Sequence, residues 1–284
     1  PFRKKVEKNS KIRGLINGLP KIKKVYKDLN FTSSSRIEID NIKINKNSAH
    51  PFKGGENEAL KRVKSYIWDT HNIANYKNTR NGLVGKEYSS KFSAYLSLGC
   101  VSPVTIYHEV KRYEKEIKKN SSTYWLIFEL MWREFFRYVA RKGGKNIFLL
   151  NGINGNIFNR SFNSNIENYN KWINGKTGQE FIDANMIELN STGFMSNRGR
   201  QNVASYLINE LDLNWRWGAA YFESKLIDYD VASNWCNWMY MAGVGNNVRN
   251  WAFNPLKQSE VYDKRENYRS IWLKKKLRQQ SIDF

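Results

Sequence analysis

Apolar positions along this chain recur at helical spacing and almost nowhere alternate. Ala59, Val63 and Ile67 repeat every four residues, and Leu207, Leu211 and nearby apolar residues continue another face, as amphipathic helices require. The longest such pattern predicts a helix over 122–141. Within it Phe128, Trp132, Phe135, Phe136 and Val139 form an apolar stripe, Glu129 and Arg133 intrude, and Gly143 and Gly144 end the run. No alternating stretch is long enough for a central sheet and no internal repeat is evident, so the expected class is all-α. Residues 1–50 differ, being rich in Lys, Asn and Ser with Gly14, Gly18 and Pro20 and no sustained period. They read as a mostly irregular interdomain linker ahead of a helical domain at 51–284.

Polar residues interrupt the apolar sequence in an ordered way. Asn197, Arg200 and Gln201 share one helical face, and Asp230, Asn234 and Trp238 form a second stripe. Together with Asp228 they place an Arg, two Asp, amides and an indole inside a helical protein, where buried polar groups need partners. A planar heterocycle with donors and acceptors on its rim would serve, although a structural Arg–Asp pair is the plainer alternative. Glu129, Trp132, Arg133 and Phe136 also share a face, which by itself reads as an intrahelical Glu–Arg pair beside core aromatics. Ser89, Ser90, Lys91 and Ser93 precede an apolar run, as an N-cap or as donors for a pyrophosphate.

Composition adds a partner class. The 284 residues carry a net charge of +21 with a pI near 9.8, which favours nucleic acid or another polyanion, although charge also aids solubility. Two cysteines, Cys100 and Cys236, exclude a disulfide framework and read as small buried groups in an intracellular, reducing compartment. No signal peptide and no apolar run of membrane-spanning length is present. His50, His71 and His108 are scattered and make no metal-ligand cluster.

The string STGFMSNRGRQNVASYL, with GKTGQEFIDANM before it and LIDYDVASNWCNWMYMAGVGN after it, resembles the FAD-binding domain of photolyases and cryptochromes. Further matching blocks are FRKKVE at 2–7, FKGGENEAL at 52–60, YKNTRNGLVG at 76–85, YSSKFSAYLSLGCVSP at 88–103, STYWLIFELMWREFFRYVA at 122–140 and FNPLKQ at 253–258. Their idioms are those of the cryptochrome DASH branch. The resemblance implies a helical FAD-binding domain without the N-terminal α/β antenna domain, where a folate-type chromophore would sit in the full-length protein.

It also implies roles. Tyr76, Ser89, Ser90, Lys91, Phe92, Ser93, Arg133 and Asn197 would hold FAD, Arg200 would pair with Asp228 at the isoalloxazine rim, Asp230 would accept from N3–H, and Asn234 would face N5. Glu129, in its protonated form, would hydrogen-bond a damaged pyrimidine, with Trp132 as a wall of its pocket. Arg80, Asn197, Arg198, Gln201, Tyr240 and Lys257 would contact DNA. Trp238 and Trp215 match the first two members of an electron-carrying tryptophan chain, whose third position here holds Phe162, with Tyr169, Tyr221 or Trp217 as substitutes. Tyr240 and Gln201 stand where duplex-repairing relatives have Trp and Met, which implies single-stranded DNA as the preferred substrate. The expected activity is light-dependent repair of cyclobutane pyrimidine dimers by a monomer. The alternatives are a blue-light photoreceptor that binds DNA or RNA, and a nonfunctional fragment.

Overall fold

The computed structural model describes residues 2–16, 18, 44–154, 162–247 and 251–274. Among these the α-helices are α1 (Phe2–Asn9), α2 (Glu56–Lys64), α3 (Tyr76–Thr79), α4 (Ser93–Ser97), α5 (Pro103–Glu116), α6 (Ser121–Gly143), α7 (Ile166–Ile173), α8 (Glu180–Thr192), α9 (Asn197–Asn209), α10 (Trp215–Lys225), α11 (Val231–Ala242), α12 (Pro255–Tyr262) and α13 (Asn267–Leu273). A π-turn at Ser65–Asp69 extends α2, and the described residues contain no strand beyond one isolated bridge between Asn163 and Leu213. The fold is all-α, as the hydrophobic period requires.

Two cores meet along α6. Leu126 and Ile127 in its first half join Val63, Tyr66, Ile67, Ile106 and Val110 from α2, the π-turn and α5. Phe136 and Val139 in its second half join Trp172, Met186, Leu207, Trp215 and Met239 from α7 to α11. One helix thus ties two apolar clusters together by burying opposite ends of its length. Its start is secured by a capping box, in which the Asn120 side chain accepts from the Thr123 N–H at 3.0 Å while Thr123 Oγ1 accepts from the Asn120 N–H at 3.1 Å. Gly143 is its last residue and Gly144, at φ 51°, turns the chain away.

Several details depart from the sequence reading. Residues 2–9 are helical, with Phe2 packed on Phe135 at 5.1 Å between ring centroids; the apolar surface of α6 overrides a locally polar sequence. Residues 19–43 of the expected linker lie outside the described residues. Phe128, Trp132 and Phe135 are only partly buried; the first two line a cavity, and Trp132 and Phe135 also pack against the larger core. Cys100 is half-exposed, whereas Cys236 is buried and its thiol is pushed up to about 12 by burial. No helix among the described residues is long and apolar enough to cross a membrane.

Candidate functional site

A cavity of about 550 Å³ opens where the two cores face each other across α6, within the range of pockets that hold drug-sized ligands. Its inner end is built by α9, α10 and α11. Ser196 caps α9 by accepting from the Gly199 N–H at 3.0 Å, which starts the helix so that Asn197, Arg200 and Gln201 all reach the cavity. Arg200 donates to both oxygens of Asp228, at 3.0 and 2.8 Å, and its Nε donates to the Met195 carbonyl at 2.9 Å. Asp230 lies one residue before α11 and caps it, accepting from the Ser233 N–H at 2.8 Å. Burial opposes ionisation of Asp230, but the Ser233 N–H and hydroxyl and Arg137 outweigh it and hold the carboxyl below its usual range.

One and two turns along α11 come Asn234, whose Nδ2 donates to the Ala219 carbonyl at 2.9 Å, and Trp238. The Trp238 ring lies against Gly218 of α10, where an added Cβ would come within 2.2 Å of it. Only glycine lets the two helices approach with that indole between them. Serine and lysine side chains of 89–93 close another wall. Lys91 is 2% exposed, at φ 60°, with Nζ over the Tyr88 ring and donating to Ser89 Oγ at 3.1 Å. Burial drives its ammonium well below the usual range. Lys91 lines the cavity there together with the hydroxyls of Ser89, Ser90 and Ser93.

The mouth is formed by Arg80, Trp125, Phe128, Glu129, Trp132, Gln201 and Tyr240. Arg80 forms an ion pair with Glu129, which also accepts from Trp125 Nε1 at 3.1 Å. The intrahelical Glu129–Arg133 pair is thus corrected: the i,i+4 partner loses to a cation brought from 49 positions away, and Arg133 pairs with Glu134. Arg80, expected as a DNA contact, is engaged at this mouth. Burial raises the Glu129 carboxyl despite Arg80 and Trp125. Tyr240 is stacked on the exposed ring of Trp251 at 6.3 Å, and Gln201 Oε1 is buried without a hydrogen-bond partner.

Of the residues singled out in the sequence, Tyr76 and Phe92 also line the cavity, each largely buried in the α2–α5 core. Arg198, Lys257, Trp215 and Phe162 lie off it. Arg198 stacks its guanidinium on Tyr262 at 4.6 Å, Lys257 is exposed on α12, and Phe162 packs at the edge of the large core. Trp215 is fully buried with its ring on Trp235 at 5.9 Å, whereas the ring contacts of Trp238 are Phe222 and Trp172. Sequence reasoning missed Asn237 and Met241, which line the cavity and follow Asn234 at i+3 and i+7, so the helical period would have found them. It also missed Phe194, which reaches the cavity from a loop that carries no such signal.

The donor set suits a flat, polar-rimmed group: a bidentate Arg–Asp pair, a capping carboxylate, an amide and an indole at one end, and hydroxyls at the other. The description "FAD binding domain of DNA photolyase" matches residues 125–282. The chain belongs to that family. The Cryptochrome DASH of Danio rerio is 46% identical over 280 residues, which span 96% of this chain and 53% of that protein. The Cryptochrome DASH of Synechocystis is 52% identical over 82% of this chain and 47% of its own length. The crystal structure of a Synechocystis cryptochrome superposes with a TM-score of 0.79 at 52% identity over 82% of this chain and 48% of that one. A class III photolyase from Agrobacterium tumefaciens gives 0.70 at 29% identity, over 78% of this chain and 45% of its own. The chain spans about half the length of the curated relatives it matches. This photolyase-type domain takes FAD as its cofactor, and among the described residues no acidic, His or Cys cluster could hold a metal.

Proposed function

We propose that the domain performs light-dependent repair of cyclobutane pyrimidine dimers in single-stranded DNA. One observation carries the reading: the flavin-type polar set and the Glu129–Trp132–Gln201–Tyr240 mouth line the same cavity, so a cofactor at the inner end and a pyrimidine dimer at the mouth would meet in contact. FAD, when bound and reduced, supplies a photoexcitable one-electron donor. Such a donor would lend the dimer one electron and recover it once the two ring bonds had broken, with no net redox change.

The chain's own residues do the rest. Arg200, held by Asp228, fixes the inner rim, Asp230 accepts an N–H, and Asn234 presents an amide beside it. At the mouth, a DNA phosphate would compete for Arg80 and draw it from Glu129. The freed carboxyl, whose pKa burial raises, would keep its proton and donate a hydrogen bond to a pyrimidine carbonyl. Trp132 walls the base, and the unpartnered Gln201 Oε1 accepts from it. Flipping a dimer from a duplex costs a few kcal/mol, and one Tyr ring at 240 repays less of that than a larger ring would, which favours single strands.

The same cofactor residues would serve a blue-light photoreceptor, but Glu129 at the cavity mouth favours a substrate. The test is an absorption spectrum of the purified protein, followed by chromatography of dimer-containing oligonucleotides after blue light. A flavin spectrum and restored pyrimidines, faster in single strands than in duplex, are expected. A flavin-loaded, reduced protein that leaves dimers intact would overturn the repair reading and favour the receptor.

A further inference from the structure

The rings around Trp238 do not lead where the resemblance sends them. Trp238 lines the cavity and contacts Trp172 at 6.3 Å and 74°. Trp172, on α7, stacks nearly parallel on Tyr169 at 6.3 Å and 21°, and Tyr169 contacts Trp217 at 5.3 Å. Tyr169 and Trp217 are half-buried, so three ring contacts lead from the cavity to the surface. Trp215 instead contacts Trp235 and donates Nε1–H to the Leu150 carbonyl at 3.1 Å. Phenylalanine at 162 is not readily oxidised, whereas every ring on the α7 path is Trp or Tyr.

We propose that Trp172 relays electrons from Tyr169 to Trp238, giving this domain an outward route for reducing its flavin that bypasses position 162. The inference rests on the FAD-dependent function proposed above. Trp238 gives one electron to the photoexcited cofactor and becomes a cation radical. Trp172 refills Trp238, and Tyr169 refills Trp172 while releasing its phenolic proton to water. A thiol in solution then returns a hydrogen atom to the tyrosyl radical, so that the net donor is the thiol.

The details of each residue fit its step. Trp172 is 0% exposed and its Nε1–H is bonded to the Val203 carbonyl at 3.1 Å. A carbonyl is too weak a base to take that proton, so the hole on Trp172 stays charged and mobile. Tyr169 has one long hydroxyl contact, 3.4 Å to the Trp217 carbonyl, and a partly exposed edge from which a proton can leave. Proton loss traps the hole there, far from the flavin. Tyr221 also touches Trp172, but edge-on at 65°, with its hydroxyl bound to Asn190 and the Ile173 carbonyl.

The experiment is electron paramagnetic resonance on flavin-loaded protein frozen after illumination, made with natural and with ring-deuterated tyrosine. The expected result is a tyrosyl signal that narrows on deuteration, is lost in Tyr169→Phe and Trp172→Phe, and persists in Tyr221→Phe. Flavin absorbance reports loading in each variant. Should Trp172→Phe fail to fold, the labelled wild type and Tyr169→Phe decide, since neither alters a fully buried ring. A tryptophanyl radical in the wild type, a tyrosyl signal surviving Tyr169→Phe, or loss in Trp215→Phe with survival in Trp172→Phe would overturn the route. A protein that takes up no flavin defeats the proposed function itself, whereas a loaded protein with the wrong radical defeats only this path.

Discussion

The inner end of the cavity and its mouth use similar residue types in opposite ways. Inside, each polar group is held by a rigid partner: Arg200 by both oxygens of Asp228, Asp230 by the Ser233 N–H, Asn234 by the Ala219 carbonyl. At the mouth, Arg80 and Glu129 hold each other across separate elements, the Glu129 side chain being 30% exposed against 2% for Asp228, and Gln201 Oε1 has no partner. Buried pairs with fixed geometry are costly to break, while exposed pairs exchange with little loss. The inner end is therefore suited to keep a resident group and the mouth to trade its contacts for a substrate.

The largest expected effect is at Asp228, whose side chain is 2% exposed. Asp228→Ala leaves Arg200 without its carboxylate; because that guanidinium is 25% exposed and still donates to the Met195 carbonyl, the loss should fall below the about 3–5 kcal/mol of a fully buried pair. Urea denaturation of flavin-free protein measures it. A loss no larger than that of the mouth variant Glu129→Gln would erase the distinction between the two regions.

Behind the inner wall, Glu188 is 1% exposed and accepts the Tyr268 hydroxyl, with Lys91 and Arg200 nearby. Burial raises its pKa from 4.5 to about 7, although Tyr268 and the two cations pull it down. The unfolded chain releases this proton first, so the folded state loses stability as pH rises from 4.5 to 7, by on the order of 3 kcal/mol. Glu188→Gln should remove that part of the pH dependence. Parallel stability profiles for the two proteins between pH 4.5 and 8 would show that Glu188 is already ionised in the fold.

How much of this was legible beforehand differs between the regions for the same reason. The inner end follows from helical spacing: Asn197 and Arg200 on α9, three apart, and Asn234 and Trp238 on α11, four apart, reach one cavity because i, i+3 and i+4 share a face. The α6 helix was legible too, since its stripe and terminal glycines are local signals. The mouth was not. Pairing Arg80 with Glu129 depends on how α3 packs on α6, and no local pattern distinguishes it from the i,i+4 pair with Arg133. The same holds for Lys91 against Tyr88 and for the bond between Tyr268 of α13 and Glu188 of α8, where tertiary packing alone brings the groups together.

A smaller effect is expected at Asp230. Its cap on α11 would be lost in Asp230→Ala, and any cofactor N–H it accepts would be left unsatisfied, at about 1–3 kcal/mol. Flavin retention during gel filtration reads the second part. Retention equal to the wild type would mean that Asp230 serves the helix alone.

The smallest stability change belongs to the mouth, and it should come with a change in activity that the inner variants cannot mimic. Glu129→Gln removes the charge from one member of a pair whose side chains are 19% and 30% exposed, and the amide can still accept from Arg80 and Trp125, so the loss should be smaller than that of Asp228→Ala. As a hydrogen-bond donor, Glu129 works only below its raised pKa, so repair by pre-reduced protein should decline as pH climbs through that value. An amide donates at any pH, hence Glu129→Gln should flatten the profile while flavin loading stays unchanged. Removing the carboxylate also frees Arg80 for phosphate, so the variant's affinity for a single-stranded oligonucleotide should rise and fall more steeply with salt. A variant that repairs with the wild-type pH profile would show that Glu129 holds Arg80 in place and never donates to the base.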